Sequence, residues 1–180
     1  YFRLANDSLL SAEWTPVGTE ADPFRGGLDG AGYKITGLKI SSGSYLGLFG
    51  WVMSAKIRDL VLEDVTINGE NYLGTLAGYA KNAVVSGITV RNADITLRPY
   101  TGYAGGLCGR VESGSFRDVQ ISGLDMKQTQ VNMNGAGGGV GGLVGEASAT
   151  TGSIFQNITT HGSILSYGSN AGGLTGRGGG

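Results

Sequence analysis

Cysteine, histidine and proline are scarce in this sequence of 180 residues, which contains one, one and three of them respectively. Because Cys108 is alone, an internal disulfide framework and a site with several cysteine ligands are both excluded. His161 is also alone, and zinc binding or histidine-base catalysis needs partners that the sequence does not supply. We therefore predict no metal site, no cofactor site and no catalytic residue, and a structural or surface role for both side chains.

Charge and long apolar runs are limited as well. The 13 lysine and arginine residues nearly balance the 14 aspartate and glutamate residues, and they are scattered along the chain. No basic patch is available for phosphate groups, so we expect no nucleic-acid partner. No apolar run reaches transmembrane length and no signal peptide is visible, so we expect no membrane insertion. The chain begins at Tyr1 without methionine, which we interpret as a processed product or an excerpt of a longer chain.

Glycine, by contrast, is abundant at 35 residues, and part of it lies in a recurring turn with the pattern Gly-Leu-x-Gly. The second copy departs modestly from the pattern and reads Gly-Thr-Leu-Ala-Gly over 74–78. The turns close at Gly50, Gly78, Gly109, Gly145 and Gly176, so successive turns are separated by 28, 31, 36 and 31 residues. Self-similarity at such a period is typical of solenoid proteins.

A six-residue phrase between the turns is typical of short β-strands. It first reads Ile-Thr-Gly-Leu-Lys-Ile at 35–40, and we align with it the copies that begin at Ile57, Val85, Phe116 and Phe155. The first and fourth places are apolar, as is the sixth in every copy but the last, and the third is Gly, Asp or Asn. Apolar residues at such places point into a narrow core, while Gly, Asp or Asn tolerates a sharp bend.

Together the turns and phrases predict an all-β fold, a parallel β-helix of about five to six coils with roughly 28–31 residues per coil. Stacked coils bury a continuous core, and the turn leucines form one predicted interior column: Leu48, Leu76, Leu107, Leu143 and Leu174. The longest interval predicts a loop that protrudes near 127–139. We expect one continuous domain, with a lead-in and first coil over 1–34 and the repeats over 35–180.

Several phrases resemble, in order and spacing, the GLUG-motif repeat family of bacterial and archaeal surface proteins. Tyr-Phe-Arg-Leu-Ala-Asn-Asp at 1–7 and Glu-Trp-Thr-Pro-Val-Gly at 13–18 are similar to that family's lead-in, and Asp-Gly-Ala-Gly-Tyr at 29–33 and Ile-Thr-Gly-Leu at 35–38 to its first coil. The resemblance covers nearly the whole chain and implies a right-handed β-solenoid in a secreted or cell-surface protein, often adhesin-like. Because the family has no uniform biochemical function, it implies a fold and a location rather than an activity.

The candidate functional residues are aromatic. Tyr45, Tyr72 and Tyr103 each stand two residues before a turn glycine, so stacked coils would align them as a ladder along one edge. Tyr100 and Tyr167 lie nearby in the sequence. Exposed aromatic rows bind sugar rings or anchor protein partners, so these five residues are a possible binding edge. The structural alternative is that the rings stack on one another and stabilise the ladder.

Aspartates raise the question of an enzyme, because some β-helix proteins that act on polysaccharides carry several carboxylates on one face. Asp59 and Asp118 share the bend place of the phrase, but Gly87 lies between them and Asn157 follows. An aspartate that a glycine replaces in the adjacent coil is typical of turn chemistry rather than of an acid cluster.

The sequence thus favours a non-catalytic extracellular surface module, an adhesin-like β-solenoid that binds a ligand or acts as a spacer. A glycan or a host surface protein is the expected partner. A structural subunit that self-associates end to end into a filament or surface array is the alternative, and a polysaccharide-active enzyme is the second alternative.

Overall fold

The computed structural model describes residues 1–98, 102–129, 138–167 and 170–178. Within these ranges the chain consists of β-strands and turns, and no helix is present. Five short strands come first: β1 (Phe2–Arg3), β2 (Ser8–Leu9), β3 (Gly27–Asp29), β4 (Lys34–Thr36) and β5 (Lys39–Ile40). A short strand then enters each turn: β6 (Ser44–Leu46), β9 (Asn71–Gly74), β11 (Tyr103–Gly105), β13 (Gly139–Gly141) and β15 (Asn170–Gly172). The strands that leave the turns are β7 (Phe49–Met53), continued by β8 (Lys56–Gly69), and then β10 (Ala77–Leu97), β12 (Cys108–Gln128), β14 (Val144–Leu165) and β16 (Thr175–Gly178).

Neighbouring coils pair through parallel strands in two sheets. The entering strands form a five-stranded sheet in the order β15-β13-β11-β9-β6, and the remaining strands form an eleven-stranded sheet. In the larger sheet β10 pairs with β8 on one side and β12 on the other, which places Val85 between Ile57 and Phe116. The predicted parallel β-solenoid is therefore confirmed, with about five stacked coils.

The long strands turn a corner at the third place of the repeated phrase. Asp59, Gly87, Asp118 and Asn157 all have left-handed backbone, with φ between 53° and 64°. Glycine, asparagine and aspartate adopt this conformation at the lowest cost because their side chains are absent or short and polar. The prediction that this place bends the chain is confirmed for these four copies.

The first copy of the phrase, however, lies one corner later than we aligned it. Ile35 pairs with Leu62, whereas the partner of Ile57 is Leu28, so the alignment of Ile35 with Ile57 is wrong. The long strands carry a second left-handed corner five residues after the first, at Asp64, Asn92 and Gly123. Because the apolar pattern repeats over that distance, either alignment places apolar side chains inside, and hydrophobicity alone does not choose between them.

The segment between β12 and β13 is shorter at both ends than the loop predicted over 127–139. Lys127 and Gln128 are the last residues of β12, and Gly139 is the first residue of β13. Gln128 is fully buried, so its side chain belongs to the wall of the solenoid rather than to a protruding segment. Residues 130–137 lie outside the part of the chain that the structure describes.

The interior column of turn leucines is confirmed in four of the five coils. Leu48, Leu76, Leu107 and Leu143 are at most 4% exposed, and burial of each such side chain contributes about 1.5–3 kcal/mol. Leu174 is 48% exposed, so the expectation fails there. The cause is its position in the last described coil, beyond which the described residues provide no further strand to cover it.

Candidate functional site

The predicted tyrosine ladder is present. Strand pairing places Tyr45 beside Tyr72, and Tyr72 beside Tyr103. The ring centroids of Tyr45 and Tyr72 are 4.9 Å apart at an interplanar angle of 16°, and those of Tyr72 and Tyr103 are 5.5 Å apart at 13°. Both faces of the Tyr72 ring are therefore covered by other rings. Stacked aromatic pairs contribute about 0.5–1.5 kcal/mol each, so the ladder stabilises the edge whether or not it also binds a ligand.

A second column, which the sequence analysis missed, lies beside the first. It starts with Trp51 and Tyr79, whose rings stack at 4.0 Å, and Trp51 also packs at 5.0 Å against Tyr45. The two columns thus form one cluster, which we call the aromatic edge: Tyr45, Tyr72 and Tyr103 with Trp51 and Tyr79. The sequence did contain a signal that could have revealed this column, because Trp51 and Tyr79 each directly follow the closing glycine of a turn.

The closing glycines bring the two columns together. A Cβ atom added to Gly78 would lie 2.4 Å from the Cα of Tyr45, and one added to Gly109 would lie 2.5 Å from the Cα of Tyr72. These distances are shorter than any van der Waals contact, so only glycine permits the backbone of the leaving strand to pass here. Tyr45 and Tyr72 themselves have φ of 58° and 53°, which is uncommon for bulky side chains. Ring stacking offsets that conformational cost, which is of order 1 kcal/mol per residue.

Arginines line the aromatic edge on its C-terminal side. The Arg110 guanidinium lies 6.0 Å from the Tyr72 ring centroid and 5.7 Å from that of Tyr79. Arg110 also donates a hydrogen bond of 3.4 Å to the Tyr72 hydroxyl and forms an ion pair of 3.3 Å with Glu146. Arg177 donates a hydrogen bond of 3.1 Å to the Tyr103 hydroxyl. The hydroxyls of both tyrosines therefore point toward positive charge.

Tyr79 is the buried member of the edge. It is 7% exposed, and its hydroxyl donates a hydrogen bond to the Glu112 carboxylate. Burial and that carboxylate raise the pKa of Tyr79, so the phenol keeps its proton at neutral pH. Hydrogen bonds from Lys81, whose Nζ lies 2.6 Å from the carboxylate, and from Tyr79 lower the pKa of Glu112. Glu112 is therefore ionised and accepts hydrogen bonds from both Lys81 and Tyr79, an arrangement that stabilises the fold.

The other two predicted edge residues do not join this cluster. Tyr167 is 46% exposed, and none of the ring contacts among the described residues involves it. Tyr100 lies outside the described residues.

The aspartates are distributed as corner residues. Asn157 donates a hydrogen bond of 2.9 Å to Asp118, and Asn92 donates one of 3.1 Å to Asp64. Each pair joins the same corner of adjacent coils, as expected for turn chemistry. Within the described ranges, no group of three or more histidine, cysteine, aspartate or glutamate side chains could hold a metal ion.

The lone cysteine is buried and the lone histidine is exposed. Cys108 is fully buried behind the turn, and burial raises the pKa of its thiol to about 12, so the thiolate is not populated at neutral pH. His161 is exposed on β14. No helix long and apolar enough to cross a membrane occurs in the described residues.

Comparisons with known proteins add one distant relative. A protein of Evansella cellulosilytica described as a putative Gly-rich membrane protein is 36% identical over an alignment of 91 positions that covers 43% of this chain and 10% of that protein. The chain therefore spans only about a tenth of the relative that it matches. No protein-family model matches the chain, and no solved structure matches it. The resemblance to the GLUG-motif family stays a prediction.

Proposed function

We propose that this chain is a non-catalytic extracellular surface module, an adhesin-like β-solenoid that presents a ligand-binding surface at its aromatic edge. One observation carries the proposal: five aromatic rings pack into a single cluster, and four of them, all except Tyr79, remain partly exposed. Rings that are already held by stacking lose little conformational freedom on binding, so a rigid aromatic surface favours affinity. The neighbouring arginines add hydrogen-bond donors at its border.

The solenoid also suits the role of a spacer. Parallel strands stack about 4.8 Å apart, so about five coils extend the module by roughly 24 Å. Such a rod holds the aromatic edge at a fixed distance from whatever precedes or follows it. The proposed module therefore combines presentation with binding.

A glycan array and a cell-adherence assay on the purified chain test this proposal. We expect selective retention of at least one glycan or attachment to a cell surface, and loss of attachment when Tyr72 is replaced by alanine. Absence of binding to every glycan and every cell type would remove the ligand-binding role and leave the spacer role alone.

End-to-end assembly is a second candidate, and the exposure of the last described coil favours it. Leu174 is 48% exposed, although the equivalent leucine in the coils before it is buried. The inward-facing Phe155 and Ile164 are partly exposed, although their partners Phe116 and Met126 in the preceding coil are fully buried. A second copy stacked on this end would cover these side chains and pair with the outer strands. Electron microscopy and sedimentation at high concentration decide this candidate: filaments are expected, and monodisperse monomers would contradict it. No observation on the described residues favours the polysaccharide-active alternative, so we do not propose it.

A further inference from the structure

The N-terminal lead-in follows the first coil but omits one of its sides. The amide of Leu10 bonds the carbonyl of Thr36, that of Trp14 bonds Lys39, and that of Val17 bonds Leu48. Val17 also bridges Phe49 on the strand that leaves the first turn. Between Trp14 and Val17 the lead-in therefore crosses from β5 to β7 without pairing with β6. As a result β6 is the outer strand of the five-stranded sheet, with no neighbour beyond it in the described chain.

A cleft of about 330 Å³ lies where that missing strand would run. Lead-in residues form one wall and the first coil forms the other, and the side chains that matter for recognition are Pro16, Thr19, Glu20, Ser44, Tyr45 and Trp51. The volume is at the small end of the range for ligand sites in proteins. We call this space the lead-in cleft.

The first ring of each aromatic column lines the lead-in cleft. Tyr45 is stacked on Tyr72 and Trp51 on Tyr79, so each ring has its own column on one side only. Both side chains are partly exposed and line the cleft. Tyrosine and tryptophan pair an apolar ring with a polar group, which suits a ligand that has both apolar C–H faces and hydroxyl groups.

Polar groups surround these rings. The Glu20 carboxylate is exposed and has no cation within ion-pair distance among the described residues. Burial raises the pKa of the Tyr45 phenol, and the nearby negative charge of Glu20 raises it further. Thr19 and Ser44, which carry hydroxyl groups, also line the cleft. A carboxylate with hydroxyls is a set of acceptors and donors that fits a polyhydroxylated ligand, and its negative charge disfavours an anionic one.

We propose that the lead-in cleft binds a neutral pyranose ring of a glycan, with the ring stacked on Tyr45 or Trp51 and its hydroxyls bonded to Glu20. This inference rests on the proposed function of the aromatic edge and specifies its ligand class and the place of contact. An added peptide strand is the competing occupant, because β6 has no neighbour on this side among the described residues. The two aromatic rings and the Glu20 carboxylate that line the cleft favour a hydroxylated ring over a peptide backbone.

Two pairs of matched variants test the inference against neutral and sialylated glycans on an array, followed by calorimetric titration of the strongest neutral binder. Tyr45→Ala and Tyr33→Ala each remove one tyrosine ring that is at least partly exposed, but only Tyr45 lines the cleft, and Tyr33 lies outside the aromatic edge. Glu20→Gln and Asp22→Asn each remove one negative charge from the same exposed loop, but only Glu20 lines the cleft. Circular dichroism melting curves check that all four variants fold.

We expect the parent chain to bind a neutral glycan. Tyr45→Ala and Glu20→Gln should each lower the affinity for it about tenfold or more, while the affinities of the two control variants should stay within about twofold of the parent's. Equal losses in Tyr45→Ala and Tyr33→Ala, or unchanged binding in Tyr45→Ala, would overturn the cleft and leave the proposed surface module intact. Attachment to cells without binding of any neutral glycan would also overturn the inference alone. Absence of both attachment and glycan binding would overturn the inference and the proposed binding function together.

Discussion

The two ends of the solenoid are covered differently. At the N-terminal end the lead-in lies over the first coil, and Leu28, Ile35 and Leu38 are at most 9% exposed. At the other end Leu174 is nearly half exposed, and the inward-facing Phe155 and Ile164 are partly exposed. Leu107 and Leu174 occupy the same place of the same turn motif, yet one is fully buried and the other is 48% exposed. Burial in this fold therefore depends on the next coil rather than on the coil's own sequence.

Coverage by the lead-in is also looser than coverage by a coil. An open apolar pocket of about 340 Å³ remains between the lead-in and the first coil. Its lining includes Phe2, Trp14 and Phe24 from the lead-in and Leu48 and Phe49 from the first coil. The lead-in bonds the first coil at separate points and its strands β1 and β2 are two residues long. Short outer strands of this kind protect an edge without extending the ladder.

The largest expected effect comes from the two turn leucines. Leu107→Ala should lower the free energy of unfolding by about 2–5 kcal/mol, because it leaves a cavity in a closed core. Leu174→Ala should cost less than about 1 kcal/mol, because its side chain is already half in water. Chemical denaturation measures both, and equal losses would contradict the claim that the neighbouring coil determines burial.

A smaller difference is expected between two turn glycines. Gly109→Ala should destabilise the fold by about 1–3 kcal/mol, because the new Cβ would lie 2.3 Å from the backbone carbon of Tyr72 and the strands would have to separate. An added Cβ at Gly173 meets nothing within 4 Å, so Gly173→Ala should be neutral or slightly stabilising. Thermal melts of the two variants compare them directly; a tolerated Gly109→Ala would show that the corner is not a close backbone contact.

The aromatic edge offers a third comparison. Tyr72→Leu removes two stacked ring pairs and should cost about 1–2 kcal/mol, whereas Tyr103→Leu removes one and should cost about half as much. Urea titrations monitored by far-ultraviolet circular dichroism provide the two free energies. If Tyr103→Leu costs as much as Tyr72→Leu, ring stacking is not what stabilises the ladder.

The smallest expected effect depends on pH and acts at the lead-in. Asp29 is 5% exposed, accepts a hydrogen bond from the amide of Ala31, and forms an ion pair of 2.6 Å with Arg58. The hydrogen bond from the Ala31 amide makes the largest contribution to lowering the pKa of Asp29 in the folded state. The hydrogen bond from the Tyr1 hydroxyl and the positive charge of Arg58 lower it further. Its contribution to stability is therefore complete above the ordinary aspartate pKa and is lost as the pH falls through the lower, folded-state value.

Asp29→Asn should accordingly reduce the difference in melting temperature between pH 7 and pH 3. The control is Asp22→Asn, which changes an exposed aspartate of the lead-in whose carboxylate forms no ion pair among the described residues. If the two variants lose stability equally on acidification, Asp29 does not link the lead-in to the first coil.

Much of the fold could be predicted from the sequence because its signals recur in every coil. Turn glycines and leucines at a fixed period indicate stacking, and the alignment of Tyr45, Tyr72 and Tyr103 follows from the same period. The position of the first phrase could not be chosen, since Ile57, Leu62 and Ile67 repeat within one coil at five-residue spacing. Exposure at the ends could not be predicted either, because identical motifs differ only in what lies next to them.

Only one of the two aromatic columns could be predicted, because only that column repeats one residue type from coil to coil. The Tyr45 column uses one residue type in three successive coils, which makes it visible in a single sequence. The neighbouring column changes from Trp51 and Tyr79 to Arg110, Glu146 and Arg177, so no shared residue type marks it. The lead-in cleft depends on which side of the coil the lead-in omits, and that is a property of the chain path rather than of any motif.

Amide hydrogen exchange tests the central claim, that each coil is ordered by the next, most directly. The turn leucines form a chain of backbone bonds, in which Leu76 donates to Leu107, Leu107 to Leu143, and Leu143 to Leu174. We predict strong protection at Leu76 and Leu107, and rapid exchange at Leu174 and in β16, in the monomeric protein. Uniform protection along the whole chain, with the protein still monomeric, would contradict this account.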